Sequence, residues 1–141
     1  MIRHATNTDF RELADLYMDA SLIAHPFIDP DYLALDKVAL REVRLPLEEA
    51  FVYERPGNIL GFIALQGPEI KGLFVKVEQQ RKGIGRALVD HAKDLHDHLD
   101  VRIFQENYAA QRFYYALGFE VAEEGAHYAL PHPEYRMRWP A

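Results

Sequence analysis

The sequence predicts one mixed α/β domain, residues 1–141, built on a central sheet. Its length suffices for a single hydrophobic core, and its 49% hydrophobic and 27% charged residues are typical of a globular protein. Extended apolar runs alternate with segments of helical periodicity in the order β-α-α-β-β-β-α-β-α-β-β. A basic turn with two glycines stands where the central strand gives way to a helix. No repeat or linker divides the chain.

The first strand is predicted at residues 2–5. Asp9 follows as a candidate N-cap, with Glu12 three positions on to complete a capping box. Apolar residues at helical spacing then predict a helix that ends near Ala24, because Pro26 disfavours helical geometry in the residue before it.

The loop at residues 24–30 is apolar and aromatic, yet it is constrained by two prolines. A stiff loop of this kind either shapes a pocket or fills the space between two helices. We expect the second helix to begin after Asp29, with Pro30 in its first position, and to run toward Leu45.

Three strands follow as a meander. Residues 51–54 and 59–65 flank a Pro-Gly turn at 55–58, which indicates a β-hairpin. A second turn, Gly67-Pro68, leads to a strand at residues 70–77.

The basic turn comes next, with the sequence Gln80-Arg81-Lys82-Gly83-Ile84-Gly85. The first turn of a helix leaves four N–H groups unpaired, and the helix dipole adds about half a positive charge there. Glycines let a ligand approach the backbone closely. The turn is therefore predicted to hold a pyrophosphate group.

The following helix carries apolar residues on one face from Ile84 to Leu99 and three histidines, His91, His96 and His98, in its C-terminal half. Histidines near a helix C-terminus are compatible with the dipole, and no second cluster offers further ligands. We expect no metal site.

The rest of the chain predicts a strand at 101–105, a helix and two closing strands. Asn107 is a candidate cap for that helix, and Gly118 is a candidate C′ residue. The closing strands are expected at residues 119–123 and 135–139.

Composition limits the function. A formal charge of −6 argues against general nucleic-acid binding and is compatible with a cationic small molecule or basic peptide. No apolar run approaches the ~20 residues of a membrane span, and the N-terminus lacks the apolar core of a signal peptide. The absence of cysteine excludes disulfides and a cysteine acyl-enzyme. We expect a cytoplasmic protein, monomeric or homodimeric.

Two common glycine loops do not fit the basic turn. The phosphate loop of nucleotide hydrolases requires Gly-Lys followed by Ser or Thr, which is absent. The dinucleotide fingerprint requires a third glycine where Leu88 stands.

Two blocks instead resemble the GCN5-related N-acetyltransferase (GNAT) family, which binds acetyl-coenzyme A (acetyl-CoA). Residues 80–85 are similar to its Gln/Arg-x-x-Gly-x-Gly/Ala signature. Residues 107–119 are similar to its Asn-x-x-Ala-x-x-Phe-Tyr-x-x-x-Gly-Phe block. The loop at 24–28 resembles a bacterial subgroup of acetyltransferases. The resemblance spans the whole chain and implies a cofactor cleft where strands 4 and 5 splay apart.

The resemblance also implies which residues hold the cofactor. One strand would pair its backbone with the pantetheine arm, the amides of the basic turn would hold the pyrophosphate, and an asparagine would bind the arm or simply cap its helix. The implied residues are Leu73, Phe74, Val75, Arg81, Lys82, Gly83, Ile84, Gly85, Arg86 and Asn107.

Tyr114 matches the family's general acid, which would protonate the departing thiolate, although a core aromatic residue is the alternative. Transfer from a phenol of pKa ~10 to a thiolate of pKa ~8.5 is uphill by roughly 2 kcal/mol, so a hydrogen bond suffices. His25 is the first candidate for the general base. Asp29, Glu69 and Glu106 are weaker candidates.

The resemblance thus implies an acetyl-CoA-dependent N-acetyltransferase that acts on a primary amine by direct attack in a ternary complex. The amine could belong to a small molecule, a peptide N-terminus or a protein lysine. A non-catalytic acyl-CoA sensor is the alternative, and a structural domain with an incidental basic turn is a third hypothesis.

Overall fold

A computed structural model describes all 141 residues and contains a seven-stranded sheet flanked by four helices. The strands are β1 (Ile2–His4), β2 (Glu49–Arg55), β3 (Asn58–Gln66), β4 (Glu69–Val75), β5 (Leu99–Phe104), β6 (Glu120–Ala126) and β7 (Pro133–Trp139). The helices are α1 (Phe10–Ala24), α2 (Pro30–Ala39), α3 (Ile84–Leu95) and α4 (Tyr108–Ala116). The predicted element order is confirmed.

The sheet has the strand order β1-β2-β3-β4-β5-β7-β6. Every neighbouring pair is antiparallel except β4 and β5, which run parallel and pair only at Glu69–Asp100 and Ile70–Val101. Beyond Ile70, β4 stays paired with β3 as far as Val75, while β5 stays paired with β7. The two strands therefore splay apart, as the family resemblance implied, and leave one edge of β4 unpaired.

Several element ends differ from the prediction, among them the end of β4, which lies at Val75 rather than at residue 77; two further differences concern a helix cap and Leu99. The capping box lies at Thr6 and Asp9 rather than at Asp9 and Glu12, because Thr6 is extended whereas Asp9 already has helical geometry. The Asp9 carboxylate accepts a hydrogen bond from the N–H of Thr6 (2.8 Å). Leu99, expected on the helix, begins strand β5 instead, because α3 ends at Leu95.

The second helical segment continues beyond the end of the regular α-helix α2. Asp29 caps α2 by accepting from the N–H of Asp31 (2.8 Å), and Pro30 occupies the first turn, as predicted. After Ala39 the chain continues through a wider π-helical turn, Leu40–Arg44, and one further turn, Leu45–Leu47.

The core has two parts, one on each face of the sheet. On one face α3 and α4 bury Leu88, Val89 and Phe119 against β3 and β5. On the other face α1 and α2 bury Leu13 and Leu33. Because both of its faces are covered, the central strand β3 is a nearly continuous apolar run, whereas the edge strand β6 is exposed along its length.

A polar network ties α1 to α2 beside the splayed strands. The Tyr17 hydroxyl donates to Asp36 (2.7 Å), and Arg44 donates to both oxygens of the same carboxylate (2.7 and 3.1 Å). The Tyr17 ring packs edge-on against Phe74 of β4 (centroids 5.1 Å apart). The network fixes α1 against the strand that borders the cleft.

None of the helices combines the length and the apolar character that crossing a membrane requires.

Candidate active site

A cleft of about 290 Å³ opens where β4 and β5 diverge. Its walls come from β4, β5, the end of α1, the loop after it, and α4. Among the predicted site residues, Leu73, Phe74, Val75, His25, Asn107 and Tyr114 line this cleft. The structure thus brings together residues from three separate parts of the chain, namely the loop after α1, β4, and α4 with its cap.

The basic turn sits at the N-terminus of α3 and follows the end of β4. Arg81 and Gly83 both have positive φ angles, 64° and 86°, which turn the chain sharply before the helix begins. The first hydrogen-bonded N–H of α3 is that of Ala87, which donates to the carbonyl of Gly83 (3.0 Å). The N–H groups of residues 81–86 donate to no group of the protein. Six free donors at a helix N-terminus form an anion-binding surface.

The charges of this turn are exposed to solvent. Arg81 and Lys82 have no ion-pair partner, and Arg86 is 3.9 Å from Asp90, a distance at which an exposed pair contributes little. Gln80 anchors the turn to β4, because its side-chain amide donates to the carbonyl of Val75 (3.2 Å). The phosphate-binding role of these residues stays a prediction.

The two positions of the turn that hold glycine favour it for different structural reasons. Gly83 needs its positive φ, and a Cβ there would meet nothing within 4 Å. A Cβ on Gly85 would stand 3.3 Å from two ring atoms of Phe113 on α4. Gly85 therefore permits the close approach of α3 to Phe113 on α4, apart from any role toward a ligand.

Asn107 makes two hydrogen bonds that define its orientation. Its Oδ1 accepts from the N–H of Ala110 (3.1 Å), which confirms the predicted helix cap. Its Nδ2 therefore faces Nε2 of His25, 3.2 Å away. Because an amide nitrogen can only donate, Nε2 of His25 accepts, and the ring carries its proton on Nδ1.

His25 lies in the cleft as expected, but its surroundings do not favour the general-base role. Burial lowers the pKa of His25 to about 4, so its conjugate acid is far more acidic than an ammonium of pKa ~10.4. The lone pair on Nε2 is already engaged by Asn107. The geometry suits a residue that orients Asn107, and the base role stays an untested prediction.

Tyr114 is buried, with 4% of its surface exposed, and its ring contacts Phe113 and Phe119 edge-on. Its hydroxyl makes no hydrogen bond within the protein, although the residue lines the cleft. Burial raises the pKa of Tyr114 well above its usual range. The hydroxyl therefore stays protonated and free to donate to a group in the cleft.

The three weaker base candidates are all engaged elsewhere. Asp29 caps α2. Glu69 forms ion pairs with Lys71 (3.5 Å) and Arg102 (3.6 Å). Glu106 is bonded to Nδ1 of His132 (2.7 Å).

Sequence reasoning missed three residues that line the same cleft, namely Phe104, His127 and Glu134. They stand on β5, on the loop after β6 and on β7. No local motif marks them, because their position depends on strand pairing between distant segments. The alternation of strand side chains could have assigned Phe104 and Glu134 to faces of their strands, but not the register that places them opposite each other.

The three histidines in and after α3 do not form a cluster with other potential metal ligands. His91 packs against Phe51 with ring centroids 4.5 Å apart. No three side chains among His, Asp and Glu are arranged to hold a metal ion.

A family profile described as the acetyltransferase (GNAT) domain matches residues 46–121, which include β2 to α4 and the basic turn.

Relatives of assigned function match nearly the whole chain. The chain is 30% identical over 141 residues to the peptidyl-lysine N-acetyltransferase YiaC of Escherichia coli K12, covering 99% of this chain and 97% of YiaC. It is 30% identical over 125 residues to the peptidyl-lysine N-acetyltransferase YjaB of the same organism, covering 85% and 82% of the two chains. The solution structure of apo YjaB superposes with a TM-score of 0.88 at 24% identity, covering 99% of this chain and 96% of that one.

Proposed function

The chain belongs to the GCN5-related N-acetyltransferase family and is an acetyl-CoA-dependent N-acetyltransferase; on this basis we propose that it acetylates the side-chain amine of lysine in peptides or proteins. Two relatives at 30% identity are named peptidyl-lysine N-acetyltransferases. The observation that carries the proposal is the cleft between β4 and β5, which is lined by the buried, protonated Tyr114 and by Gln80, the residue just before the free amides of residues 81–86. A net charge of −6 is compatible with a cationic acceptor.

The cofactor would be held mainly by the backbone. The free edge of β4 at Leu73, Phe74 and Val75 can pair with the amide groups of a pantetheine arm. The amides of residues 81–86 can bind the pyrophosphate, and the exposed side chains of Arg81 and Lys82 can add positive charge beside it. Asn107, held by Ala110 and His25, would present its remaining donor or acceptor capacity to the arm. Acetyl-CoA supplies a thioester as the acetyl donor.

Tyr114 would stabilise the sulfur of coenzyme A as it departs. Because burial raises its pKa, full transfer of its proton to a thiolate of pKa ~8.5 is costlier than for an exposed phenol. A hydrogen bond from the hydroxyl to the developing charge needs no such transfer and is strong in a dry cleft. We therefore expect Tyr114 to act by hydrogen bonding rather than by donating its proton early.

The acetyl group would pass directly to the acceptor amine. The sequence has no cysteine, so a cysteine acyl-enzyme cannot form. The amine's lone pair attacks the thioester carbon, the C–S bond breaks, and both substrates must be bound at once. Initial-velocity lines that intersect are expected, whereas parallel lines would contradict direct attack.

The test uses a peptide that is blocked at both ends and contains one lysine, incubated with acetyl-CoA and the full-length protein. Release of free thiol and acetylation of that lysine, read by mass spectrometry, are the expected results. The matched control replaces the lysine by arginine, which keeps the charge but removes the nucleophilic amine. Thiol release with a free peptide N-terminus or a small amine, but not with the lysine peptide, would contradict the proposed acceptor.

A further inference from the structure

A second hollow of about 120 Å³ adjoins the cleft between β5, β6 and β7. Most residues that line it are charged, in contrast to the mainly hydrophobic lining of the cleft. Arg102 and Glu134 line both spaces. Glu134 therefore stands where the cleft opens toward a polar surface, at the side from which a cationic acceptor can approach.

Strand pairing determines which face carries the Glu134 side chain. Glu134 lies directly opposite Phe104 in the antiparallel β5–β7 pair, and opposite residues project to the same face. The Phe104 ring contacts His25 and Phe27 on the α1–α2 side of the sheet, with centroids 5.2 and 5.5 Å apart. It also stacks on His127 at 5.3 Å. Glu134 thus projects toward the same aromatic wall that borders the cleft.

The carboxylate of Glu134 has no partner. It makes no hydrogen bond and no ion pair, although the main-chain carbonyl of the same residue accepts from Gln105 (3.3 Å). Glu69 on β4, by contrast, is paired with Lys71 and Arg102. A half-buried carboxylate without a partner carries an unmet desolvation cost, and a cationic ligand would offset it.

We infer that Glu134 is the acceptor-binding carboxylate of this enzyme, which hydrogen-bonds the incoming lysine ammonium and takes the proton that the amine must lose before it attacks. This inference rests on the proposed function. In the step, the ammonium N–H bond breaks, its proton passes to a Glu134 oxygen, and the freed lone pair forms the new C–N bond. The sulfur leaves with its electron pair, hydrogen-bonded by Tyr114, and takes up the second nitrogen proton to become the thiol. Glu134 returns its proton to solvent.

Burial acts on the two candidate bases in opposite directions. It lowers the pKa of His25 and so weakens the imidazole as a base. It raises the pKa of Glu134 and so makes the carboxylate a stronger base. Burial would likewise lower the pKa of an entering ammonium, whereas its ion pair with Glu134 acts in the opposite direction.

Other charged groups surround Glu134 on each neighbouring element. Arg102 on β5, Lys71 on β4 and His127 on the loop after β6 lower its pKa, and Glu69 on β4 raises it. Nδ1 of His127 accepts from the N–H groups of Ala129 and Leu130 (3.0 Å each), which fixes the orientation of this ring. Lys71 and Arg102 are already paired with Glu69, which leaves Glu134 available to a further cation.

The test compares Glu134→Gln with the wild-type protein across a pH series, using the doubly blocked lysine peptide and acetyl-CoA. We expect kcat/KM at neutral pH to fall about 100-fold, within the usual range for loss of a general base. The deficit should shrink toward pH ~10, because the acceptor amine, with a pKa of ~10.4, then arrives increasingly deprotonated. Acetyl-CoA affinity, measured by calorimetry, and the thermal midpoint should stay close to wild type.

Two further variants complete the design. Glu120→Gln, an exposed β6 residue outside the cleft, is the matched control and should keep full activity. Glu134→Asp keeps a carboxylate and should recover part of the activity. Wild-type kcat/KM in Glu134→Gln, or a deficit that is the same at every pH, would overturn the assignment. A wild-type protein that releases no thiol with the lysine peptide would instead overturn the proposed function.

Discussion

Removal of the Tyr114 hydroxyl tests the chemical centre of the cleft with a minimal change. Tyr114→Phe deletes one oxygen and keeps the ring that packs between Phe113 and Phe119. The hydroxyl makes no hydrogen bond in the protein, so no native interaction is lost with it. The free energy of unfolding should therefore stay within about 0.5 kcal/mol of wild type.

The expected loss lies in turnover. A hydrogen bond to a charged group contributes about 1.5–3 kcal/mol, which corresponds to roughly 10- to 150-fold in rate. Because Tyr114 would meet the sulfur chiefly as its charge develops, kcat should fall by this factor while the dissociation constant of acetyl-CoA changes little. Thiol release under saturating lysine peptide and acetyl-CoA gives kcat, and calorimetry gives the affinity.

The neighbouring tyrosine provides the control. Tyr115 is 70% exposed and lies outside the cleft, so Tyr115→Phe should keep wild-type kcat and stability. A Tyr114→Phe protein with wild-type kcat would refute the hydrogen-bonding role. A loss of kcat accompanied by a clear loss of thermal stability would show that the hydroxyl supports the fold, and would also contradict the hydrogen-bonding role.

Two predictions concern the scaffold. Gly61→Ala should lower the free energy of unfolding by about 1–3 kcal/mol in denaturant titrations, because its Cβ would stand 3.0 Å from the carbonyl oxygen of Phe74. Gly125→Ala is the control and should be neutral, because nothing lies within 4 Å of a Cβ at that position. Equal effects of the two substitutions would contradict the packing argument. Hydrogen bonding by Arg3 lowers the pKa of Asp9 below its ordinary value of about 4, so its stabilising effect is present above that pH and lost as the pH falls through the folded-state pKa. Asp9→Asn should therefore destabilise the protein at neutral pH more than in acid, and a pH-independent difference would contradict this.

Features that depend on a few neighbouring residues could be predicted from the sequence. The positive φ of Gly83, the cap at Asn107 and the terminating Gly118 (φ 93°) are each specified within one or two turns of chain. The misplaced capping box shows the limit of such reasoning. Asp9 was a suitable cap by residue type, but Arg3 and the N–H of Thr6 use its carboxylate in the structure.

The chain alone determined the element order, the position of the basic turn before a helix and the family resemblance, because periodicity, caps and glycine turns act over short distances. Tertiary structure decided what meets in the cleft. His25 and Asn107 are 82 positions apart, and only their contact reveals that the imidazole lone pair is engaged. Glu134 enters the cleft through its register with Phe104, which local sequence does not specify. The pKa shifts of His25 and Glu134 therefore follow from their burial and partners, which arise only when distant segments pack together.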